Sequence, residues 1–127
     1  MTKERRRLAK ILRWLKKNFP GKRPVRLIVS MMPKDEMDCA GVYYPPVDSK
    51  SAFIRLNKDQ TRSEKIYTLL HEWAHYRIDP LAESVERDHG GHPNAFYLEY
   101  GRIERAYYKA LDGELKIRKG KTDAPQS

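Results

Sequence analysis

The stretch from Thr61 to Pro80 constrains this chain more than any other. Thr61-Arg62-Ser63-Glu64 is a capping box, in which the Thr61 hydroxyl and the Glu64 carboxylate each satisfy a backbone N–H that the first helical turn leaves without a partner. Asp79-Pro80 is a stop, because the proline ring disfavours helical geometry in the residue before it. Between them Ile66, Leu69, Leu70, Trp73 and the aliphatic stem of Arg77 recur at helical spacing, which predicts a helix running to about Ile78. Inside it lies Leu70-His71-Glu72-Trp73-Ala74-His75-Tyr76. At about 100° per residue, His71 and His75 leave the same face one turn apart, well away from the apolar stripe, so both rings are expected outside the core.

Two imidazoles at this spacing can share one metal ion, and with Glu72 beside them they form the His-Glu-x-x-His signature of zinc hydrolases. Three fixed positions arise by chance in many helices. What favours the metal is that all four histidines of the chain fall between His71 and His92. A catalytic zinc takes three protein ligands and leaves the fourth position to water, so one more ligand is required. His92 is expected to supply it, from the mouth of the last helix and after a Gly90-Gly91 pair that lets the chain turn sharply. His89 before that pair and Glu99 further along remain open alternatives. Zinc so held acidifies a water toward neutral pH, and Glu72 is placed to take its proton and pass it to a leaving amine, which is amide hydrolysis. The bland role for Glu72, a surface salt bridge, would be worth little and would not require this position. Tyr100 and Tyr107 could hydrogen-bond a developing oxyanion, but each is better explained as core.

The remaining elements follow from periodicity and punctuation. Lys3 to Asn18 reads as a basic amphipathic helix with Leu8, Ile11, Leu12 and Leu15 on one side, ended by Phe19-Pro20-Gly21. Val25–Val29, Gly41–Tyr44 and Phe53–Leu56 read as short strands of a small sheet, mostly antiparallel or mixed, because the connections are too short for the crossover helices of a parallel sheet. A last helix is expected from Pro93 to Leu111, stopping before Gly113, with Phe96, Tyr100, Ile103, Tyr107 and Ala110 as its apolar face. Gly101 in that face would permit a close helix crossing. The fold class is therefore α+β, a compact zincin-like domain over residues 1–114, followed by a basic, disordered tail over 115–127.

No apolar run approaches the ~20 residues that span a membrane, and the basic N-terminus precedes no signal-peptide core, so a cytoplasmic location is the default. The single cysteine, Cys39, excludes an internal disulfide and a four-cysteine zinc ribbon, and an inert thiol is the better reading of it than an inhibitory zinc ligand. Twenty-six Lys and Arg against seventeen Asp and Glu give a net charge of +9, which favours a polyanionic partner. Nonspecific DNA contact through the N-terminal helix and the basic tail is the expected form; a membrane-surface role is weaker.

Taken together, His71-Glu72-Trp73-Ala74-His75, then Gly91-His92-Pro93-Asn94-Ala95-Phe96 and Tyr100-Gly101-Arg102-Ile103, resemble the SprT-like metallopeptidases, a family that includes the Spartan proteases. That family reads His-Glu-x-x-His followed by Gly-His-Gly-Pro-x-Phe; here Pro93-Asn94 replaces Gly-Pro and no zinc ribbon follows. The resemblance implies a zinc-dependent peptidase with His71, His75 and His92 as ligands, Glu72 as catalyst, Phe96 packed inside, and proteins associated with or crosslinked to DNA as substrates. It also implies an exposed edge strand beside the metal helix that receives the substrate backbone, for which Ala52–Leu56 is the natural candidate. Two alternatives stand beside it. One is a non-catalytic nucleic-acid- or protein-binding domain with a structural zinc; the other is a self-inhibited minimal gluzincin whose third ligand is a glutamate.

Overall fold

The computed structural model describes residues 2–44, 51–78 and 94–123, with side chains as far as residue 113. Helix α1 (Lys3–Asn18) is capped by Thr2, whose hydroxyl accepts from the Arg5 N–H at 3.1 Å, and it ends where the Phe19 N–H returns to the Leu15 carbonyl at 2.7 Å. Leu8, Ile11 and Leu15 are buried along one side, as the spacing predicts, and the cations occupy the other.

The sheet is mixed. Strands β1 (Val25–Ser30), β2 (Gly41–Tyr44) and β3 (Ala52–Asn57) stand in the order β1-β3-β2, with a short 3₁₀ turn at Lys34–Glu36 between the first two. β2 pairs antiparallel with β3, but β1 pairs parallel with it, Val25 opposite Ala52 and Ser30 opposite Asn57. Of the antiparallel and mixed forms expected, the mixed one is found, with one antiparallel and one parallel pairing. A parallel pair needs a return stroke, and β2 supplies it along the far side of β3 in place of a crossover helix. One expectation is corrected: Ala52–Leu56 is the central strand and not an edge, with Ala52, Ile54 and Leu56 fully buried.

Helix α2 (Arg62–Arg77) begins with the expected capping box: the Glu64 N–H donates to the Thr61 hydroxyl at 3.2 Å and the Thr61 N–H to the Glu64 carboxylate at 3.0 Å. It lies between the sheet, through β2 and β3, and helix α3 (Asn94–Asp123) on its other side. Leu69, Leu70, Trp73 and Ala74 are therefore buried, and so are Lys65, Glu72 and His75. Each end of α2 is tied by polar contacts that bridge distant parts of the chain. Lys65 donates to Glu4 of α1 and to the Gln60 carbonyl, both at 2.9 Å; the Trp73 indole donates to the Phe19 carbonyl at 2.9 Å; and Arg77 donates to the Pro20 carbonyl.

Phe96, Ile103 and Tyr107 of α3 are buried against α2 and α1, Tyr107 meeting Trp14 edge-on at 5.8 Å. α3 does not stop before Gly113. Its backbone stays helical to Asp123, through most of the stretch expected to be a disordered tail, since Gly113 and Gly120 each cost only ~1 kcal/mol and Glu114, Leu115 and Lys116 are good helix formers. Among the described residues no helix is long and apolar enough to cross a membrane. Nor does Gly101 serve a helix crossing: a Cβ there would meet only the flexible end of Arg105, at 3.2 Å. Gly101→Ala should therefore raise stability by about 0.5–1 kcal/mol, read as a higher Tm, and a fall would show that the glycine has a packing role.

Candidate metal centre

The capping box sets where α2 begins, and its helical rise carries His71 and His75 to one face, with Glu72 next to His71 and about 100° round the helix. The Nε2 atoms of His71 and His75 are 3.3 Å apart, and a Glu72 carboxylate oxygen lies 4.0 Å from the His71 Nε2. One donor atom from each of the three residues falls within 4.8 Å of the others, so His71, Glu72 and His75 form a group that could hold a metal ion, the one such group among the described residues. The spacing suits a tetrahedral ion: with metal–nitrogen bonds of about 2.0–2.1 Å, two ligand nitrogens stand roughly 3.3–3.4 Å apart.

The two rings are not equivalent. His75 is 6% exposed, whereas the His71 side chain retains 32% of its surface, so one ring is inside and the other at the mouth. This corrects the expectation that both histidines lie outside the core. The apolar stripe of α2 faces one way, but α3 covers the opposite side as well, and Phe96 is what covers it. Phe96, itself 1% exposed, stacks on His75 at 4.2 Å and meets His71 edge-on at 4.7 Å. Tyr100 touches His71 edge-on at 5.4 Å and stacks on Phe96 at 5.7 Å. Such walls restrict the imidazoles to few rotamers and so prepare them to converge. Burial, and after it the Glu104 carboxylate, pushes Tyr100 up to about 12, so its hydroxyl stays protonated and able to donate.

Glu99 is assigned elsewhere. It is 8% exposed, and its two oxygens accept from Arg77 at 2.7 Å and from Arg102 at 2.9 Å; it does not belong to the metal group. These contacts anchor α3 to the end of α2, one turn from Phe96. Tyr107 packs on α1 rather than at the site, with Arg7 at 3.5 Å from its hydroxyl. Cys39 is exposed and outside the group. His89 and His92 lie outside the described residues.

Reasoning from sequence missed the Arg77–Glu99 tie, whose partners are 22 residues apart, and it missed Tyr100 as a neighbour of His71. A signal for the second was present: Tyr100 follows Phe96 by one helical turn, and Phe96 was already expected inside.

No protein-family model matches the chain, and no curated protein or solved structure matches it.

Phe96→Ala should cost about 3–5 kcal/mol in urea unfolding, the usual loss for truncating a buried phenylalanine. A loss below 1 kcal/mol would mean that the aromatic wall over the histidines contributes little to the fold.

Proposed function

We propose that this chain is a zinc-dependent endopeptidase, of the SprT-like kind that its motifs resemble. The observation that carries the proposal is the 3.3 Å separation of the two Nε2 atoms, a tetrahedral-edge distance, with the Glu72 carboxylate against them. His92 is the proposed third ligand. What supports it is the motif that sets His92 four residues before Phe96, since Phe96 itself lies against both rings. When bound, zinc supplies the Lewis acidity that makes water a nucleophile at neutral pH.

The protein's own groups do the rest. Glu72 is 6% exposed and adjoins the mouth-side imidazole, where it accepts the proton of the attacking water and returns it to the leaving amine. Phe96 and Tyr100 hold the imidazoles and exclude solvent from one side. The substrate backbone is proposed to pair with β2, which among the described residues pairs only with β3. β2 runs close to α2: a Cβ on Gly41 would come within 2.5 Å of the Thr68 methyl, three residues before His71. A peptide added to this edge would be aligned by main-chain hydrogen bonds, with little demand on its side chains.

Proteins bound or crosslinked to DNA are the proposed substrates. Lys3, Arg5, Arg6, Lys10, Arg13, Lys16 and Lys17 are all exposed on α1, on a chain of net charge +9, and form a surface suited to phosphates. A cytoplasmic site of action belongs to the same proposal.

Glu72→Gln should keep its zinc and its fold yet lower cleavage of an unfolded protein at least about 100-fold; undiminished cleavage would remove Glu72 from the mechanism. In the same metal analysis His92→Ala should lose zinc, and loss on His89→Ala instead would move the third ligand. DNA affinity should fall at least about tenfold between 50 and 200 mM salt, and a flat response would count against phosphate contacts by α1.

A further inference from the structure

The alignment that brings the histidines together does not stop at them. His75, His71 and Tyr67 follow one another at four-residue intervals on α2, and Phe96, Tyr100, Glu104 and Tyr108 do the same on α3. The two rows face each other along one seam. Phe96 covers His75, Tyr100 meets His71, and Tyr67 meets Tyr108 with ring centroids 6.3 Å apart and hydroxyls joined at 2.8 Å. The seam is buried at its histidine end and open at the other, where Tyr67 is 42% and Tyr108 43% exposed.

Glu104 sits half-buried within this aromatic stretch, one helical turn from both Tyr100 and Tyr108, and its charge acts on both. Among the described residues no lysine or arginine forms an ion pair with it, on a chain that carries 26 of them. The carboxylates of Glu4 and Glu99 are each taken by a cation of the protein itself.

We propose that Tyr67, Tyr100, Glu104 and Tyr108 form a subsite for a lysine or arginine side chain of the bound polypeptide. Its chemistry is selective for a cation. Aromatic faces attract a cation placed within about 6 Å, the tyrosine oxygens accept its N–H groups, and the carboxylate completes the neutralisation. An acidic side chain would be repelled there, and an apolar one would strip water from Glu104 without compensation. Tyr67 stands one four-residue step from His71, about 6 Å along the helix, close to the roughly 6.6 Å spanned by two residues of an extended strand. The cation is thus placed about two residues from the bond cut. That placement rests on the peptidase proposal; the recognition of the cation does not. Polypeptides rich in lysine and arginine are also those that bind DNA, so the subsite narrows the proposed substrates by their own chemistry.

The test measures binding apart from cleavage. The full-length Glu72→Gln protein, loaded with zinc, is titrated by fluorescence anisotropy against two unstructured dye-labelled peptides that differ at one position, lysine in one and norleucine in the other. The lysine peptide should bind about tenfold more tightly, and adding Glu104→Gln should bring the ratio close to one. Equal affinities, or a ratio that survives Glu104→Gln, would overturn the subsite. If circular dichroism shows that Glu104→Gln does not fold, Tyr108→Ser takes its place, with the same reduction expected. The unmodified chain is then incubated with both peptides. No cleavage with the ratio intact would sink the peptidase proposal and leave the subsite standing; cleavage with no ratio would do the reverse.

Discussion

Helix α2 is enclosed on two sides, by the sheet and by α3, and the rest of the structure is arranged around that constraint. A helix with one apolar stripe can be served by a single partner, whereas a helix covered twice must take polar side chains inside with it. Leu69, Leu70 and Trp73 give the favourable part, at about 1.5–3 kcal/mol for each side chain removed from water. Lys65, Glu72 and His75 are the cost, since a buried polar group without partners is strongly unfavourable. Lys65 meets it with Glu4 and the Gln60 carbonyl, which pins α1 to the start of α2. Glu72 and His75 lie together with His71, the two Nε2 atoms 3.3 Å apart, and this is where chemistry becomes available.

The second covering layer is anchored at its first turns. Glu99 binds Arg77 and Arg102 at once, and Arg77 reaches the Pro20 carbonyl while its guanidinium lies 5.8 Å from the Phe19 ring. Four parts of the chain, the end of α1, the loop after it, the end of α2 and the first turns of α3, therefore converge on a few charged contacts. Phe96 lies three residues before Glu99, so the position of the ring over the histidines is inherited from this anchor. A site built on two braced helices holds its geometry better than one built on loops, which suits a constellation in which a metal ion would have to find its ligands already converging.

Two parts of the exterior bear on the proposed activity. α1 turns its cations outward, while the seam between α2 and α3 keeps Glu104 among tyrosines. On the proposals made above, the first would face a polyanion and the second a cationic side chain, so a basic protein resting on nucleic acid would meet both at once.

Local signals decided the elements. Thr61 with Glu64, the leucine stripe of α1, Phe19-Pro20 and the alternation of β3 act within a few residues, through hydrogen bonds and side-chain periods that a linear pattern displays directly, and the ends of α1, β2 and α2 follow from them. The same holds for the facing of His71, Glu72 and His75, because one helical turn is a local distance. What only the tertiary structure decided is who lies against whom. The parallel pairing of β1 with β3, the burial of His75 under Phe96, and the engagement of Glu99 by Arg77 all join residues far apart in sequence, and periodicity along one element carries no information about the element that will cover it. A helix pattern shows which face is apolar; the number of partners that close over that helix is set by how the whole chain packs.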